Sequence, residues 1–259
     1  MHFNHIDLLL WAAASAGHLA LLAVMAIRRR VKTFPVFTFF IAVSVLKSSV
    51  LFLIYLHGSR RAYFYTYVGF LILDLTLQLA VAFEMATRVF RPVGAWSREV
   101  ARNLASLAIA SFSLATVLSL LAQPHTQVVA KAAIIRFDLF SAVLVSMLFV
   151  GFVAVSARTG LPWRTHVARI SQGLAVYAVF DVIIESARTC FGVSTTTDFY
   201  RVLSEVRIIV YCACLTYWII TLWQEAPAPR LLDSRMRWQL TALQSRVEQD
   251  LASLRQRSK

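Results

Sequence analysis

Ionisable side chains lie inside several long apolar stretches of this 259-residue chain, where their types suit ion pairing, ligand binding or proton transfer. One stretch reads Lys131-Ala-Ala-Ile-Ile-Arg136-Phe-Asp138, so two cations and a carboxylate interrupt an otherwise apolar segment. Charged groups are costly in lipid and are retained where they pair, meet water or act. The segment therefore predicts a polar site within a membrane-spanning region.

Further polar side chains interrupt other apolar stretches, and we group all of them as the intramembrane polar seam. The seam comprises Lys47, Asp74, Gln78, Arg136, Asp138, Asp181, Glu185, Glu205 and Arg207. A rise of about 1.5 Å per helical residue places them in the middle or the outer third of their spans. Three interpretations stay open: ion pairs that only fix helix pairing, a water-filled binding cavity, or a proton or ion path.

Spacing within the seam predicts which side chains share a helix face. Asp74 and Gln78 lie four residues apart, and residues at this spacing share one face of a helix. Asp181 and Glu185 follow the same rule. The two side chains of each pair are therefore predicted to point toward the same region.

Charge partners are predicted from facing and depth. Arg136 and Asp138 lie two residues apart and point to different faces, so the partner of Arg136 must come from another span. We predict that Arg136 pairs with Asp181 or Asp74. Lys47 is predicted to pair with Asp74.

The elements that position these side chains follow from composition. The chain is 59% hydrophobic and 15% charged, whereas soluble domains carry about 25% charged residues. Apolar runs of membrane-spanning length, roughly 17–25 residues, recur through it. We predict an all-α polytopic membrane protein with a seven-helix transmembrane domain over residues 1–226. The predicted spans are 6–27, 34–56, 63–86, 104–122, 128–155, 167–187 and 199–223.

Basic residues predict the orientation of these spans. The formal net charge is +13, from 26 basic and 13 acidic residues. Of the 26, 18 fall in the segments on one side, four on the opposite side and four within spans. Basic residues collect on the cytoplasmic side, so the N-terminus is predicted outside and the C-terminus cytoplasmic. This explanation of the charge favours the lipid bilayer as partner and excludes nucleic acid.

The predicted tail, residues 227–259, has an amphipathic pattern. Asp233 is positioned to cap a helix whose apolar residues recur at spacings of three and four, which marks one helix face. That face holds Met236, Leu240, Leu243, Val247, Leu251 and Leu254. Three roles stay open for this helix: lying on the membrane, binding a cytoplasmic partner helix, or self-association.

Several chemistries lack their motifs. The chain contains no phosphate-binding Walker loop, no Gly-x-Ser-x-Gly and no His-Glu-x-x-His. Three cysteines give no disulfide framework, and the histidines show no metal-ligand spacing. We therefore predict no enzyme activity, no metal and no cofactor.

Two regions resemble a known group of proteins. The first holds Tyr63-Phe64-Tyr65-Thr66-Tyr67, then Leu75 to Glu84, then Phe90-Arg91-Pro92; the second runs from Gly173 to Glu185. They resemble a group of uncharacterised bacterial seven-span membrane proteins of similar length. The resemblance implies a seven-helix fold in the bacterial inner membrane, and it implies no functional residue.

The leading functional hypothesis is a sensory or signalling membrane module. An outward-facing cavity lined by spans 2, 3, 5, 6 and 7 would bind a ligand, and the tail helix would relay to a partner. A small transporter or ion-conducting protein that uses the same seam is the first alternative. A structural subunit of a larger membrane complex is the second.

Overall fold

The computed structural model describes residues 5–90, 98–123, 129–158, 166–191 and 197–225. Within these ranges the chain forms seven α-helices and no strand. They are α1 (His5–Ile27), α2 (Pro35–His57), α3 (Arg60–Phe90), α4 (Arg98–Leu121), α5 (Val129–Arg158), α6 (His166–Phe191) and α7 (Thr197–Trp223). All seven are long and apolar enough to cross a membrane. The predicted all-α, multi-pass architecture is confirmed.

Helix α1 ends in a turn that contains one left-handed residue. Arg29 has a φ of 53°. The N–H of Arg30 donates to the carbonyl of Met25 at 2.8 Å, and the N–H of Arg29 donates to the carbonyl of Ala26 at 3.1 Å. These two bonds form a Schellman motif, which satisfies carbonyls that the end of a helix leaves free. The chain then reverses direction within a few residues.

Helix α2 begins with the help of a side chain from α3. Pro35 opens the helix, where its missing N–H costs nothing. The N–H groups of Val36 and Phe37 donate to Glu84 at 3.4 Å and 3.0 Å, one to each carboxylate oxygen. A carboxylate also complements the positive end of the helix dipole. Glu84 therefore fixes the position of α3 against the start of α2.

Five helices enclose the centre of the bundle. Helix α1 packs on α2 and α7, α7 on α6, α6 on α3, and α3 on α2, so these five form a closed ring. Helix α5 packs against α3 and α6 from outside the ring, and α4 packs on α5. Helix α2 runs antiparallel to α3, since Phe37 meets Glu84 and Lys47 meets Asp74. Helix α7 runs parallel to α1, since His18 meets Tyr211 and Arg30 meets Gln224. Helix α1 therefore begins at one end of the bundle and α7 finishes at the other. We call these the N-terminal end and the C-terminal end.

The main apolar core lies in the half of the bundle nearer the C-terminal end. Trp218 is fully buried and meets Phe37 edge to face, with ring centroids 5.5 Å apart. Its indole lies so close to α6 that a Cβ on Gly173 would be 2.3 Å from Nε1. Every described helix except α4 contributes buried residues to this core.

The chain divides into two compact units, residues 1–225 and 226–259. The first unit holds the helices given above. The second lies outside the described residues, and with it the predicted tail helix and its apolar face. Those features, like the predicted orientation, stay predictions.

Candidate functional site

A polar cavity of about 240 Å³ lies inside the five-helix ring. Each helix of the ring contributes to its wall. The polar side chains that line it are His18, Ser44, Lys47, Ser48, Asp74, Gln78, Tyr177, Arg207 and Tyr211. Asp74 and Gln78 line it together, as their spacing predicts. The prediction that span 5 lines the cavity is wrong, because α5 packs outside the ring and α1 takes that place.

The predicted pair between Lys47 and Asp74 is confirmed. The ammonium of Lys47 on α2 contacts a carboxylate oxygen of Asp74 on α3. Both side chains are partly accessible, 28% and 18%, because they face the cavity. The Lys47 ammonium has three N–H donors, so this contact leaves donors that point to the cavity.

Arg207 of α7 is the centre of the second charge cluster. Its Nη1 donates to Oε1 of Glu185 at 3.0 Å, and its Nε lies 2.7 Å from Oδ1 of Asp181 in an ion pair. The Nε–H is directed at the hydroxyl oxygen of Tyr177, 3.4 Å away. Asp181 and Glu185 therefore act from one face of α6, as predicted. Arg188 donates to the same Glu185 oxygen at 2.8 Å.

His18 of α1 connects the cavity wall to α7. Its Nδ1 lies 2.7 Å from the carbonyl oxygen of Ala14, and its Nε2 lies 2.7 Å from the hydroxyl of Tyr211. A carbonyl only accepts, so Nδ1 carries the proton, and a neutral ring then accepts the Tyr211 O–H at Nε2. The Tyr211 ring also packs edge to face on Tyr177, with centroids 5.0 Å apart.

Arg136 does not join the seam, and its predicted pairing with Asp181 or Asp74 is wrong. Asp181 is paired with Arg207 and Asp74 with Lys47. The exposed side chain of Arg136 instead reaches the end of α4, where Nε donates to the carbonyl of Ala122 at 3.3 Å. A cation suits this position because a helix ends with free carbonyls and a partial negative charge.

Two other seam carboxylates lie beside the cavity rather than in its wall. Glu205 pairs with Arg201 one turn earlier on α7, at 3.0 Å. Asp138 is half-buried within the electrostatic reach of Glu185 and Arg207. Among the described residues no hydrogen bond or ion pair to Asp138 is formed.

Sequence reasoning missed several members of the site. The predicted seam does not include Tyr177, Tyr211 or His18. Tyr177 lies four residues before Asp181, and Tyr211 four residues after Arg207, so each shares a face with a seam residue. That spacing was the available signal. His18 had none, since its partner is remote in sequence.

An aromatic cleft of about 300 Å³ continues from the cavity and shares Lys47 and Ser48 with it. Trp11 of α1 and Phe52 of α2 stack in its wall, with centroids 4.6 Å apart. The cleft shares Tyr55 and Tyr63 with a wider outer cleft of about 620 Å³ at the junction of α2 and α3. The cavity and the two clefts therefore follow one another toward the N-terminal end of the bundle.

The fold and this cavity define a class: a multi-pass, seven-helix membrane protein with a polar cavity enclosed by five of its described helices. In the described ranges, no group of three or more His, Cys, Asp or Glu side chains is placed to hold a metal ion. Comparison with protein-family models, curated proteins and solved structures gives no match.

Proposed function

We propose that this protein is a sensory module of the bacterial inner membrane, which binds a small molecule in the polar cavity. The N-terminal end faces the outside, in line with the distribution of basic residues. The observation that carries the proposal is the cavity itself, which is polar, lined by charged groups of several helices and adjoined by a cleft toward that end. Ligand sites in helical bundles commonly lie between helices in this way.

Helix α7 is the element through which binding would reach the cytoplasmic tail. It supplies Arg207 to the cavity and Trp218 to the apolar core. Beyond its end, the carbonyl of Gln224 accepts from Arg30 at 3.3 Å, and Oε1 of Gln224 accepts from Arg169 at 3.1 Å. A shift of α7 would strain these contacts immediately before residue 226. The tail would then present its apolar face to a protein partner or to a second copy.

The apolar core supports binding rather than conduction. Between the cavity and the C-terminal end, the buried side chains of Leu21, Phe37 and Trp218 fill the five-helix ring. Interiors packed in this way leave little room for water, so no continuous polar path crosses the part of the bundle that the structure describes. Transport would require these side chains to separate.

Thiol labelling tests the open side of the cavity. In a background with Cys190, Cys212 and Cys214 replaced by Ser, a Ser48→Cys variant should react with a membrane-impermeant maleimide added outside. Val81→Cys, buried in the apolar core, is the matched control and should stay unlabelled. Labelling of Ser48→Cys only from the cytoplasmic side would contradict the proposal.

Signalling is tested with the tail. Removal of residues 230–259 should abolish capture of a cytoplasmic partner or self-association, and leave the labelling of Ser48→Cys unchanged. Purified protein in liposomes should show no flux of ions or solutes. Flux that disappears on neutralising Asp181 would replace this proposal with the transporter.

A further inference from the structure

Three residues that line the polar cavity keep hydrogen-bond donors that have no acceptor among the described residues. Arg207 uses Nε and Nη1 for Tyr177, Asp181 and Glu185, while its Nη2 has no hydrogen bond to another described residue. Tyr177 accepts from Arg207, so its own O–H remains available as a donor. Lys47 adds the N–H groups that Asp74 does not use. Three donors, two of them cationic, therefore face one space.

The carboxylate in the described cavity wall and the two carboxylates that pair with Arg207 already contact a cation. Asp74 is the one acidic residue in the described cavity wall, and it contacts Lys47. Asp181 and Glu185 do not line the cavity and are committed to Arg207. In the described wall a cationic ligand would find one carboxylate, that of Asp74, which already pairs with Lys47. An anionic group would accept hydrogen bonds from the free donors without breaking an existing contact.

The aromatic cleft extends this site with an apolar compartment. Along α2, Lys47, Leu51 and Tyr55 line it at intervals of four residues, so it follows one helix face for ~12 Å. Trp11 and Phe52 stack on each other and supply aromatic surface to its wall. A ligand with an anionic head and a ring or short aliphatic body would fill both compartments.

On the basis of the function proposed above, we propose that the ligand is a small carboxylate with an apolar body. Its carboxylate binds Lys47, Arg207 and the Tyr177 hydroxyl, and its body lies against Trp11 and Phe52. Charge-assisted hydrogen bonds to a carboxylate are stronger than those to a neutral group. The head therefore determines affinity, and the cleft sets the size of the body.

Three probes with the same ring test the head group: 3-phenylpropionate, 3-phenylpropionamide and 3-phenylpropylamine, titrated into the full chain in lipid nanodiscs by calorimetry. We expect the carboxylate to bind at least about tenfold more tightly than the other two. Ser48→Leu, which fills the junction of cavity and cleft, should weaken it at least about tenfold. Ser49→Leu is the matched control, since Ser49 is exposed and lines neither space, and it should bind within twofold of the parent.

A second blocking variant distinguishes loss of binding from loss of folding. Ser44→Leu, one turn from Ser48 in the same cavity wall, should weaken binding in parallel if the melting temperature is retained. Amide or amine binding that Ser48→Leu abolishes, with none of the carboxylate, would overturn the ligand class and leave the proposed function standing. Absence of any Ser48-dependent binding would overturn the ligand class, and the thiol labelling then decides the cavity separately.

The carboxylate has two sources, and decanoate in the nanodisc lipid, whose chain is short enough for the cleft, distinguishes them. Displacement of bound 3-phenylpropionate by decanoate identifies a fatty acid that enters from the bilayer. Retention of 3-phenylpropionate identifies a soluble acid from outside. Both results support a carboxylate with an apolar body.

Discussion

The two halves of the bundle are held together by different interactions. Toward the C-terminal end the helices meet through buried apolar side chains such as Trp218 and Phe37, with glycine providing close approach. Toward the N-terminal end they meet through ion pairs and hydrogen bonds around the cavity and its cleft. Packed side chains fill the C-terminal half, and the N-terminal half contains the polar cavity and its cleft.

The two halves of the bundle therefore draw on different sources of stability in lipid. Lipid tails are as apolar as the core, so helices associate through close packing and polar contacts rather than through exclusion of water. The packed half supplies close contacts. The polar half holds buried ion pairs, which packed apolar residues of similar volume often replace with little loss of stability.

The largest expected effect comes from breaking the packed half. Trp218→Ala removes the largest fully buried side chain, and we expect a loss in the free energy of unfolding near the lower end of about 3–5 kcal/mol. The lower end applies because lipid tails solvate the exposed surface in the reference state. Unfolding in mixed detergent and dodecyl sulfate measures it. A loss below 1 kcal/mol would remove the distinction between the halves.

A methyl group at the tightest contact of the packed half should be costly. Gly173→Ala places a Cβ where the Trp218 indole now lies, and we expect about 1–3 kcal/mol of destabilisation from overpacking. Gly69→Ala is the control, because a Cβ there meets nothing within 4 Å. That control should be neutral or more stable by up to about 1 kcal/mol, as Ala favours helix. Equal effects of the two would contradict the packing argument.

A cap across two helices gives a smaller effect. Glu84→Gln removes the charge at the start of α2 and weakens its bonds to the N–H groups of Val36 and Phe37. We expect a loss of about 0.5–2 kcal/mol, the range for helix caps. Thr76→Ala serves as the control on the same helix, because its hydroxyl bonds only to the carbonyl of Ile72. The same unfolding assay compares both variants.

The smallest effect on stability is expected in the polar half. Replacing Lys47 and Asp74 together, by Met and Leu, should change the free energy of unfolding by less than about 1 kcal/mol or stabilise the protein. Lys47→Met alone should cost more, because Asp74 then remains without its partner. The double variant should nevertheless lose binding of 3-phenylpropionate. Retained binding would show that this ion pair is not part of the binding site.

Sequence patterns predicted much of this molecule but not the membership of its site. The seven spans, the pair between Lys47 and Asp74, and the shared faces of Asp74 with Gln78 and of Asp181 with Glu185 are confirmed. The placement of Arg136 is wrong, since the depth of a Cα does not show where a long side chain ends. His18 was missed because its partner Tyr211 belongs to the opposite end of the chain.

The sequence by itself determined the number and approximate length of the helices. Bilayer thickness sets the length of an apolar run, and each helix satisfies its backbone hydrogen bonds internally, so both properties are local. Only the tertiary structure decided that α1 rather than α5 closes the cavity, and that Arg207 rather than Arg136 holds Asp181. Several cations lie at similar depth, and helix rotation and packing choose among them.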